Sequence, residues 1–458
     1  MGWELFTILC ELEGKIYLIL PVCGIVIVCM VIYDCYQHKK RMKPQYKEAG
    51  KKKAKGILFG YTRGHKVAYS PTDAEGHVAV FGGSGLGKTS ALLIPTLRSW
   101  TGYSFAVDIS GDISKNVETP NKLIYEPSNP ASIPYNIFGM IDEIKDKDDQ
   151  NEALEQLAFL LMPDDNIRDD AARFFRTEGR KILTASLISF YHKGIDFSEI
   201  CEKIVRSSWQ ELFNEIDQTQ DEDAIQYINS FVGASEQNTA GCKQDADSKV
   251  KLFATNARVK QTIRRPKKGE KCFTPQEIER NNVFVLIEDN KLKLYAPLLH
   301  IITAQTLDYF SVRSIHSETT ILLCLDEFAS LGKLEIVDAL RKLRKRHVRI
   351  MMLTQSMSDI DLIYGKPERM AMMNNYRFKV ILGADDTDTQ DYFAKLIGQK
   401  EVQKKSRSQS ARNVTHTVSE GKDWSVEPAR LARLHDRLIL LHPDGYVELR
   451  KNFYFNSK

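Results

Sequence analysis

The chain has 458 residues, more than one compact core usually holds, so we expect two or three domains. Hydrophobic residues make up 43% and charged residues 27%, which excludes a largely disordered chain and a polytopic membrane protein. The net charge of +4 is small, so any attraction to nucleic acid or to a membrane must come from local patches. The eight cysteines contain no C-x-x-C pair, which argues against a disulfide framework or a zinc site and indicates a reduced, cytoplasmic soluble part.

An uncharged run, IYLILPVCGIVIVCMVIY, extends from Ile16 to Tyr33 near the N-terminus. A helix of this length, at about 1.5 Å per residue, comes close to the roughly 30 Å hydrocarbon core of a bilayer. The preceding segment, residues 1–15, is acidic, and the run lacks a small-residue cleavage site, which argues against a cleaved signal peptide. We therefore predict an uncleaved transmembrane helix over residues 16–34, with a buried core helix as the alternative.

Residues 35–56 form a basic juxtamembrane linker. Nine lysines and arginines lie between Lys39 and Lys55, against a single acid, Glu48. By the positive-inside rule, the chain after the anchor is cytoplasmic. The same run could also contact anionic headgroups or nucleic acid.

A phosphate-binding loop follows the strand-like run HVAVF. The stretch Gly82-Gly83-Ser84-Gly85-Leu86-Gly87-Lys88-Thr89 fits the pattern G-x-x-x-x-G-K-[ST], and Ser90 opens a helix-like segment. Glycines let the backbone N–H groups turn inward around phosphates, and the positive end of the helix adds to the attraction. Lys88 would reach the β and γ phosphates and the Thr89 hydroxyl would ligate magnesium, so we predict an ATP and Mg²⁺ site over residues 82–90.

The apolar run TTILLCL ends in two adjacent acids, Asp326 and Glu327. A buried parallel strand reads as a continuous apolar run, and its carboxyl end is where α/β sheets place ligands. Asp326 would hold the magnesium, directly or through water, and Glu327 would accept the proton of the attacking water. A small-molecule kinase has less need of a water-activating acid, so the pair favours an ATPase.

The next segment predicts a helix dense in arginine and lysine, then the strand VRIMMLT, with Gln355 at its end. Gln355 beside the γ phosphate could sense hydrolysis, and a helix arginine could reach a neighbouring subunit's nucleotide as a finger in trans. The candidates are Arg341, Arg344, Arg346 and Arg349. The residue types alone do not choose among them, and each could instead lie on a solvated basic face.

Apolar runs around this site alternate with helical stretches, a pattern typical of a parallel sheet with helices on both faces. These runs are SFAVD, NVFVLIE, TTILLCLDE, VRIMMLT and YRFKVILG. Residues 142–275 show only helical periodicity, which predicts an all-helical insertion domain within a nucleotide-binding domain formed by residues 57–141 and 276–458.

Two basic segments leave alternatives open. The end of the insertion, from Arg258 to Lys271, could track a phosphate backbone or could be a solvated face. Residues 404–425 are polar and basic without periodicity, which predicts a flexible loop that could line a pore only if the protein forms a ring.

With these segments in this order, the chain resembles the type IV secretion coupling proteins, the TraD/TraG-like ATPases of bacterial conjugation. The likeness rests on VFGGSGLGKTSALLIPTL, the strand ending in Asp108, YNIF at Asn136, and LDEFASLGKLEIVDALRKLRKRHVRIMMLTQSMSDIDLIYG. It implies a RecA-like P-loop ATPase sheet with an all-helical insertion, assembled as a homo-hexameric ring in the bacterial inner membrane. It also implies that the ring uses ATP to recruit a relaxase with attached single-stranded DNA and feeds this substrate to the secretion channel. Matching the motif assigns the finger to Arg344 and the γ-phosphate position to Gln355.

The resemblance is incomplete at both ends. Family members often carry two membrane helices around a small periplasmic domain, whereas the segment before Lys15 is too short and acidic for a first span. Some members extend into an acidic C-terminal tail that reads accessory proteins, whereas this chain ends at FYFNSK. We therefore expect docking to the channel to differ and partner choice to lie elsewhere, for example in the helical domain.

The leading hypothesis is a membrane-anchored, DNA-stimulated ATPase that couples a relaxase–DNA substrate to a type IV secretion channel. Two alternatives are a double-stranded DNA pump and a nucleotide-switched receptor for protein secretion substrates. The cargo, the strandedness of the DNA and the ring size are not encoded in residue types.

Overall fold

The computed structural model describes residues 46–164, 169–409 and 414–456. The transmembrane helix predicted over residues 16–34 and most of the basic linker lie outside these ranges. Within them, no helix combines the length and the apolar character needed to cross a bilayer.

Twelve strands of the described chain form one mixed sheet, and two more form a separate hairpin. The strands are β1 (Lys47–Ala49), β2 (Gly56–Tyr61), β3 (Val67–Pro71), β4 (His77–Phe81), β5 (Tyr103–Asp108), β6 (Lys122–Tyr125), β7 (Asn282–Leu286), β8 (Ile321–Leu325), β9 (Val348–Thr354), β10 (Tyr376–Ile381), β11 (Gln399–Gln409), β12 (Val414–Trp424), β13 (Arg437–His442) and β14 (Gly445–Arg450). The order in the sheet is β1-β3-β2-β14-β13-β10-β4-β9-β8-β5-β7-β6. The strands from β10 to β6 pair in parallel, whereas those from β1 to β10 pair antiparallel.

The helices cover both faces of the sheet and fill the interval between β6 and β7. They are α1 (Ile94–Ser99), α2 (Asp112–Asn116), α3 (Lys147–Leu161), α4 (Asp170–Tyr191), α5 (Phe197–Arg206), α6 (Trp209–Asp217), α7 (Glu222–Asn229), α8 (Glu236–Thr255), α9 (Ala257–Thr262), α10 (Leu292–Ser311), α11 (Ile336–Leu343), α12 (Met357–Asn375) and α13 (Thr387–Ile397). Short 3₁₀ turns occupy Lys51–Lys53, Pro275–Glu279, Asp289–Lys291, Phe328–Leu331, Arg344–Arg346, Pro428–Arg433 and Tyr454–Asn456, and Lys88–Leu93 forms a π-helical turn. The helices α3 to α9 all fall within residues 142–275, and the described residues of that interval contain no strand.

The parallel strands are buried on both faces, as the continuous apolar runs predict. In β8, Ile321, Leu323 and Leu325 pack into one hydrophobic core, and the intervening Leu322 and Cys324 pack into the other. Successive side chains of a strand point to opposite faces, so a strand covered by helices on both sides has no polar position. The prediction of a parallel sheet covered on both faces is therefore confirmed.

The antiparallel half of the sheet and the hairpin were not predicted. The flexible loop predicted over residues 404–425 is wrong, because Gln399–Gln409 pairs with Val414–Trp424 as two antiparallel strands. A ribbon whose residues are mostly polar on both faces gives no periodic hydrophobic signal, so periodicity cannot reveal it. The β-branched run around VTHTV was the available sign, because valine and threonine favour strands.

Two arginines in the basic end of the helical insertion, Arg264 and Arg265, are paired inside the molecule. Arg265 donates to Asp142 at 2.9 and 3.2 Å and to Asp196 at 3.3 Å. The bonds to Asp142 join the last part of the helical insertion to its first residue. Arg264 forms a two-pronged ion pair with Glu270. These two guanidinium groups are already paired with carboxylates, so neither is free to track a phosphate backbone.

Two positions that support the family resemblance have local structural roles. The buried Asp108 accepts hydrogen bonds from the backbone N–H groups of Ile113 and Ser114, at 3.3 and 2.7 Å, and so holds α2 against the end of β5. Asn136 accepts from the backbone of Phe138 and donates to Asp142. Each side chain therefore stabilises the local backbone conformation through its hydrogen bonds.

His77, the first residue of β4, connects that strand to two neighbouring elements. Its Nε2 lies 2.9 Å from the carbonyl oxygen of Leu340 in α11, and its Nδ1 accepts a 2.9 Å hydrogen bond from the N–H of Ile350 in β9. Because Nδ1 accepts, the neutral ring carries its proton on Nε2 and donates it to Leu340. Burial lowers the pKa of His77 to about 4, with Arg349 and Arg344 acting in the same direction.

We expect the protein to lose stability as the pH falls below 6.5, the ordinary pKa of histidine, towards about 4, because only the unfolded chain then binds the proton readily. The shift corresponds to a loss of at most about 3 kcal/mol. Melting temperatures of the full chain between about pH 7 and about pH 5 should fall more steeply for the wild type than for His77→Asn, although the variant is less stable at neutral pH. The exposed His316→Asn serves as the control, and equal pH slopes for wild type and His77→Asn would contradict the assignment.

Candidate nucleotide site

Three strand ends meet at one edge of the sheet. The strand β9 lies between β4 and β8 and pairs in parallel with both. The phosphate loop follows β4, Gln355 follows β9, and the Asp326–Glu327 pair follows β8. A backbone hydrogen bond of 3.2 Å from Gly82 to the carbonyl oxygen of Thr354 joins the loop directly to β9. The structure therefore brings these predicted site residues together.

Glycines shape the phosphate loop where a side chain would not fit. Gly87 has φ of +96°, a conformation that residues with a Cβ rarely adopt. A Cβ on Gly83 would lie 2.6 Å from Oδ2 of the exposed Asp385, so a larger residue there would displace that side chain. The loop then enters the π-helical turn Lys88–Leu93.

Lys88 and Thr89 each contact one of the two acids that follow β8. The Lys88 side chain is buried, donates to the carbonyl oxygen of Gly82 at 2.8 Å, and lies 3.7 Å from Oε1 of Glu327. The Thr89 hydroxyl donates to Oδ2 of Asp326 at 3.1 Å. A hydroxyl and a carboxylate at this distance are the hard oxygen ligands that Mg²⁺ prefers when phosphates and water complete its shell, so these residues fit the ion.

The two acids differ in their surroundings. Asp326 is 6% exposed, and burial, followed by the negative charge of Glu327, raises its pKa to about 6. Glu327 is partly exposed, adopts the left-handed conformation with φ of 45°, and accepts a 3.3 Å hydrogen bond from the amide of Gln355. A non-glycine residue held in this conformation carries backbone strain, which tends to occur at functional sites. Glu327 thus lies between the Lys88 ammonium and the Gln355 amide.

The structure separates the four arginine candidates. Arg349 is buried, where it donates to the carbonyl oxygens of Gly76 and Pro71 and to the hydroxyl of Ser70, and burial lowers its pKa to about 9. Its guanidinium therefore has a structural role, and the interpretation of Arg349 as a finger is wrong. Arg341 is exposed and Arg346 is half-buried, so both remain candidates.

Arg344 is exposed and donates from Nε to Glu75 at 3.2 Å. Glu75 precedes β4 and the phosphate loop follows it, so the five-residue strand, about 17 Å long, separates the two. Arg344 therefore lies at the opposite edge of the sheet from the nucleotide site of its own chain. Arg344 thus does not contact the nucleotide site of its own chain.

Three further side chains border the phosphate loop although no motif in the sequence marks them. Asp385 follows β10 and lies against Gly83. Lys451 follows β14 and donates to the carbonyl oxygen of Leu86 at 2.9 Å. The Phe453 ring edge would be 3.0 Å from a Cβ on Gly87. Lys451 and Phe453 are far from the loop in sequence, so only the pairing of β14 within the sheet brings them there.

Comparison with known proteins identifies the family. Residues 34–458 match the family model described as "Type IV secretory system Conjugative DNA transfer". The chain belongs to this family. Protein VirD4 of Agrobacterium fabrum is 22% identical over 441 residues, a region that covers 88% of this chain and 63% of VirD4. The chain thus spans less than two thirds of the length of that relative.

Two solved structures share the fold. The unbound bacterial conjugative coupling protein TrwBdeltaN70 is 20% identical, with a TM-score of 0.68, covering 88% of this chain and 90% of that chain. The plasmid coupling protein TrwB in complex with ADP and Mg²⁺ is also 20% identical, with a TM-score of 0.67, covering 90% and 94%. The predicted mixed α/β, RecA-like architecture is therefore confirmed. At 20% identity, the similarity to these structures shows the fold alone.

We expect Asp326→Asn to raise the melting temperature of the nucleotide-free protein by a few degrees at neutral pH. A carboxyl whose pKa is raised from 3.8 to about 6 destabilises the fold once it ionises, by at most about 3 kcal/mol, and a neutral amide removes that penalty. The same variant should lose Mg²⁺-dependent nucleotide binding, measured by fluorescence titration. Asp385→Asn, an exposed acid beside the loop, is the matched control, and a fall in melting temperature for Asp326→Asn would contradict the analysis.

Proposed function

We propose that this chain is a membrane-anchored ATPase of conjugative DNA transfer, which recruits a relaxase with attached single-stranded DNA and drives it into a type IV secretion channel. The observation that carries the proposal is the convergence of the phosphate loop, the Asp326–Glu327 pair and Gln355 on one sheet edge. Membership of the conjugative DNA transfer family supports the choice of substrate.

Each residue of the site has a distinct role in the proposed hydrolysis of ATP. The loop residues 82–90 surround the phosphates, with Lys88 on the β and γ groups. Thr89 and Asp326 hold Mg²⁺, which neutralises charge on the phosphates when bound. Glu327 accepts the proton of the attacking water, and its hydrogen bond from Gln355 keeps the carboxylate oriented and links it to β9.

Assembly into a ring completes the proposed site. Arg344 is exposed at the edge of the sheet opposite its own phosphate loop, a position suited to a neighbour's nucleotide. An arginine supplied in trans neutralises charge that develops on the transferred phosphoryl group. We therefore propose a homo-hexamer in which Arg344 acts across each subunit interface.

The proposed location is the bacterial inner membrane. Residues 16–34 would form a single-pass anchor, and the basic residues of the linker would keep the rest of the chain on the cytoplasmic side, where ATP is available. The helices α3 to α9 are the proposed domain for partner contact.

We expect the purified full-length chain in detergent to hydrolyse ATP, and single-stranded DNA to accelerate the reaction. Lys88→Ala should lose both binding and turnover, whereas Glu327→Gln should lose turnover while it still binds ATP, because it lacks only the water-activating carboxylate. Steady-state phosphate release and equilibrium binding measure the two properties separately. Hydrolysis retained in Lys88→Ala would contradict the site, and slow hydrolysis indifferent to DNA would favour the nucleotide-switched receptor.

A mixing experiment tests the finger. Lys88→Ala and Arg344→Ala should each be inactive alone, and their mixture should regain part of the activity, because a Lys88→Ala subunit supplies Arg344 to a neighbour with an intact loop. A mixture of Lys88→Ala with Glu327→Gln is the matched control and should gain less, because both changed residues act within their own subunit. Full activity of Arg344→Ala alone would transfer the role to Arg341 or Arg346.

A further inference from the structure

A small basic cavity lies beside the first described residues of the chain. Its volume is about 150 Å³, and its lining includes Lys51, Lys52, Lys55, Arg98 and Tyr454. None of the described residues that line the cavity is acidic. Most small-molecule sites have a volume of about 300–1,000 Å³, so this space suits only a small group such as a single phosphate.

Two lysines of the basic cavity, Lys52 and Lys55, are available to a ligand. Both are exposed, and their ammonium groups have no hydrogen-bond or ion-pair partner among the described residues. Arg98 on α1 is held in place, because its Nε donates to the carbonyl oxygen of Asn116 at 2.8 Å and its guanidinium lies 5.1 Å from the centre of the Tyr454 ring. Two ammonium groups and one oriented guanidinium form a donor set that suits phosphate oxygens.

An exposed aromatic ring adjoins the basic cavity. Phe455 follows Tyr454 in the chain, and the centres of the two rings are 5.3 Å apart. Phe455 is 59% exposed. Surfaces that lie in the interface of a membrane combine lysines, which meet the headgroups, with aromatic rings that enter the boundary with the acyl chains. The combination of cations and an exposed ring therefore indicates a lipid surface as the partner.

The chain that precedes the basic cavity limits how far from a membrane the cavity can lie. Tyr46 is twelve positions after residue 34, the end of the predicted transmembrane helix. A fully extended chain of this length spans about 40 Å, so the surface that carries Tyr46 stays within that distance of the bilayer. The first lysine of the cavity, Lys51, comes five positions after Tyr46. The cavity is thus within reach of lipid headgroups.

We propose that the basic cavity and Phe455 together dock the nucleotide-binding domain on the anionic lipid surface around its own anchor. Lys52, Lys55 and Arg98 bind the phosphate of a headgroup, and the Phe455 ring enters the boundary between headgroups and acyl chains. The contact fixes the orientation of the domain relative to the bilayer, which a single helix and a linker do not. This inference rests on the proposed function, because it assumes that residues 16–34 anchor the chain.

Nucleic acid carries the same phosphate chemistry, but the surroundings of the cavity favour lipid. One face of the Phe455 ring lies against Phe453, with ring centres 5.2 Å apart and planes 24° from parallel. A base that stacks on an aromatic side chain needs an open face, and here one of the two is occupied. The chain also reaches the cavity directly from the predicted anchor, which places lipid phosphates close to it in every nucleotide state.

The test places the full-length chain in lipid nanodiscs and uses Phe455→Trp as the reporter. Its emission, after the wild-type signal is subtracted, should be quenched by brominated phosphatidylcholine in discs that also contain phosphatidylglycerol, and not in discs without phosphatidylglycerol. The double change Lys52→Glu and Lys55→Glu should reduce the quenching to the level of the neutral discs. Lys52→Ala alone should lower the ratio of docked to undocked protein about fivefold, which corresponds to about 1 kcal/mol per basic residue at an anionic surface.

The matched control is the double change Lys251→Glu and Lys395→Glu. These two lysines are exposed on α8 and α13, which do not line the cavity, and their reversal changes the net charge by the same amount. The control should leave the quenching unchanged, and a loss as large as that of the cavity variant would overturn the proposal. Equal quenching in both kinds of disc, or quenching in neither, would also overturn it.

Two further outcomes separate this inference from its alternatives. If a single-stranded oligonucleotide changes the reporter's emission in neutral discs and phosphatidylglycerol does not, the cavity binds nucleic acid and the proposal is wrong. If the chain does not enter nanodiscs, the anchor of the proposed function fails and the inference fails with it. A chain that enters the discs without lipid-dependent quenching refutes the docking alone.

Discussion

The parallel pairing of β9 with both β4 and β8 is the constraint on which the candidate site depends. Carboxyl ends of parallel strands lie at one sheet edge, so the loop after β4, Gln355 after β9 and the acids after β8 must meet there. The bond from Gly82 to Thr354 and the bond from Thr89 to Asp326 then fix the distances. If β9 did not lie between β4 and β8, Gln355 would not reach Glu327, and Gly82 would not bond to Thr354.

The site holds these groups at a cost in stability. Asp326 is buried with a raised pKa, and Glu327 is in a strained backbone conformation beside it. At the opposite end of the same strands, the buried polar atoms of His77 and Arg349 have hydrogen-bond partners, and these bonds stabilise the fold. Natural proteins often combine a destabilised functional edge with a well-satisfied scaffold, because a site complementary to its ligand is incompletely satisfied without it.

The two edges of the sheet have different proposed tasks. One edge carries the phosphate loop together with Lys451 and Phe453, which the antiparallel strands deliver from the far end of the chain. The other edge presents Arg344 in an exposed ion pair with Glu75, a contact of the kind that exchanges readily because its two charges are solvated. A ring of such subunits would bring the second edge of one chain to the first edge of the next, so that hydrolysis depends on assembly.

The sequence alone determined the parts that local pattern encodes: the phosphate loop at residues 82–90, the Asp326–Glu327 pair, Gln355, and the strands buried on both faces. Glycine spacing, adjacent acids and continuous apolar runs are local signals, because each follows from the conformation or burial of a single segment. Only the tertiary structure decided that Arg349 is buried and that Arg344 lies away from its own site. It also decided that Gln399–Gln409 pairs with Val414–Trp424 and that Lys451 and Phe453 border the loop. These outcomes depend on which strands pair and on which side chains become buried between distant segments, and neither long-range pairing nor burial between such segments leaves a periodic trace in the sequence.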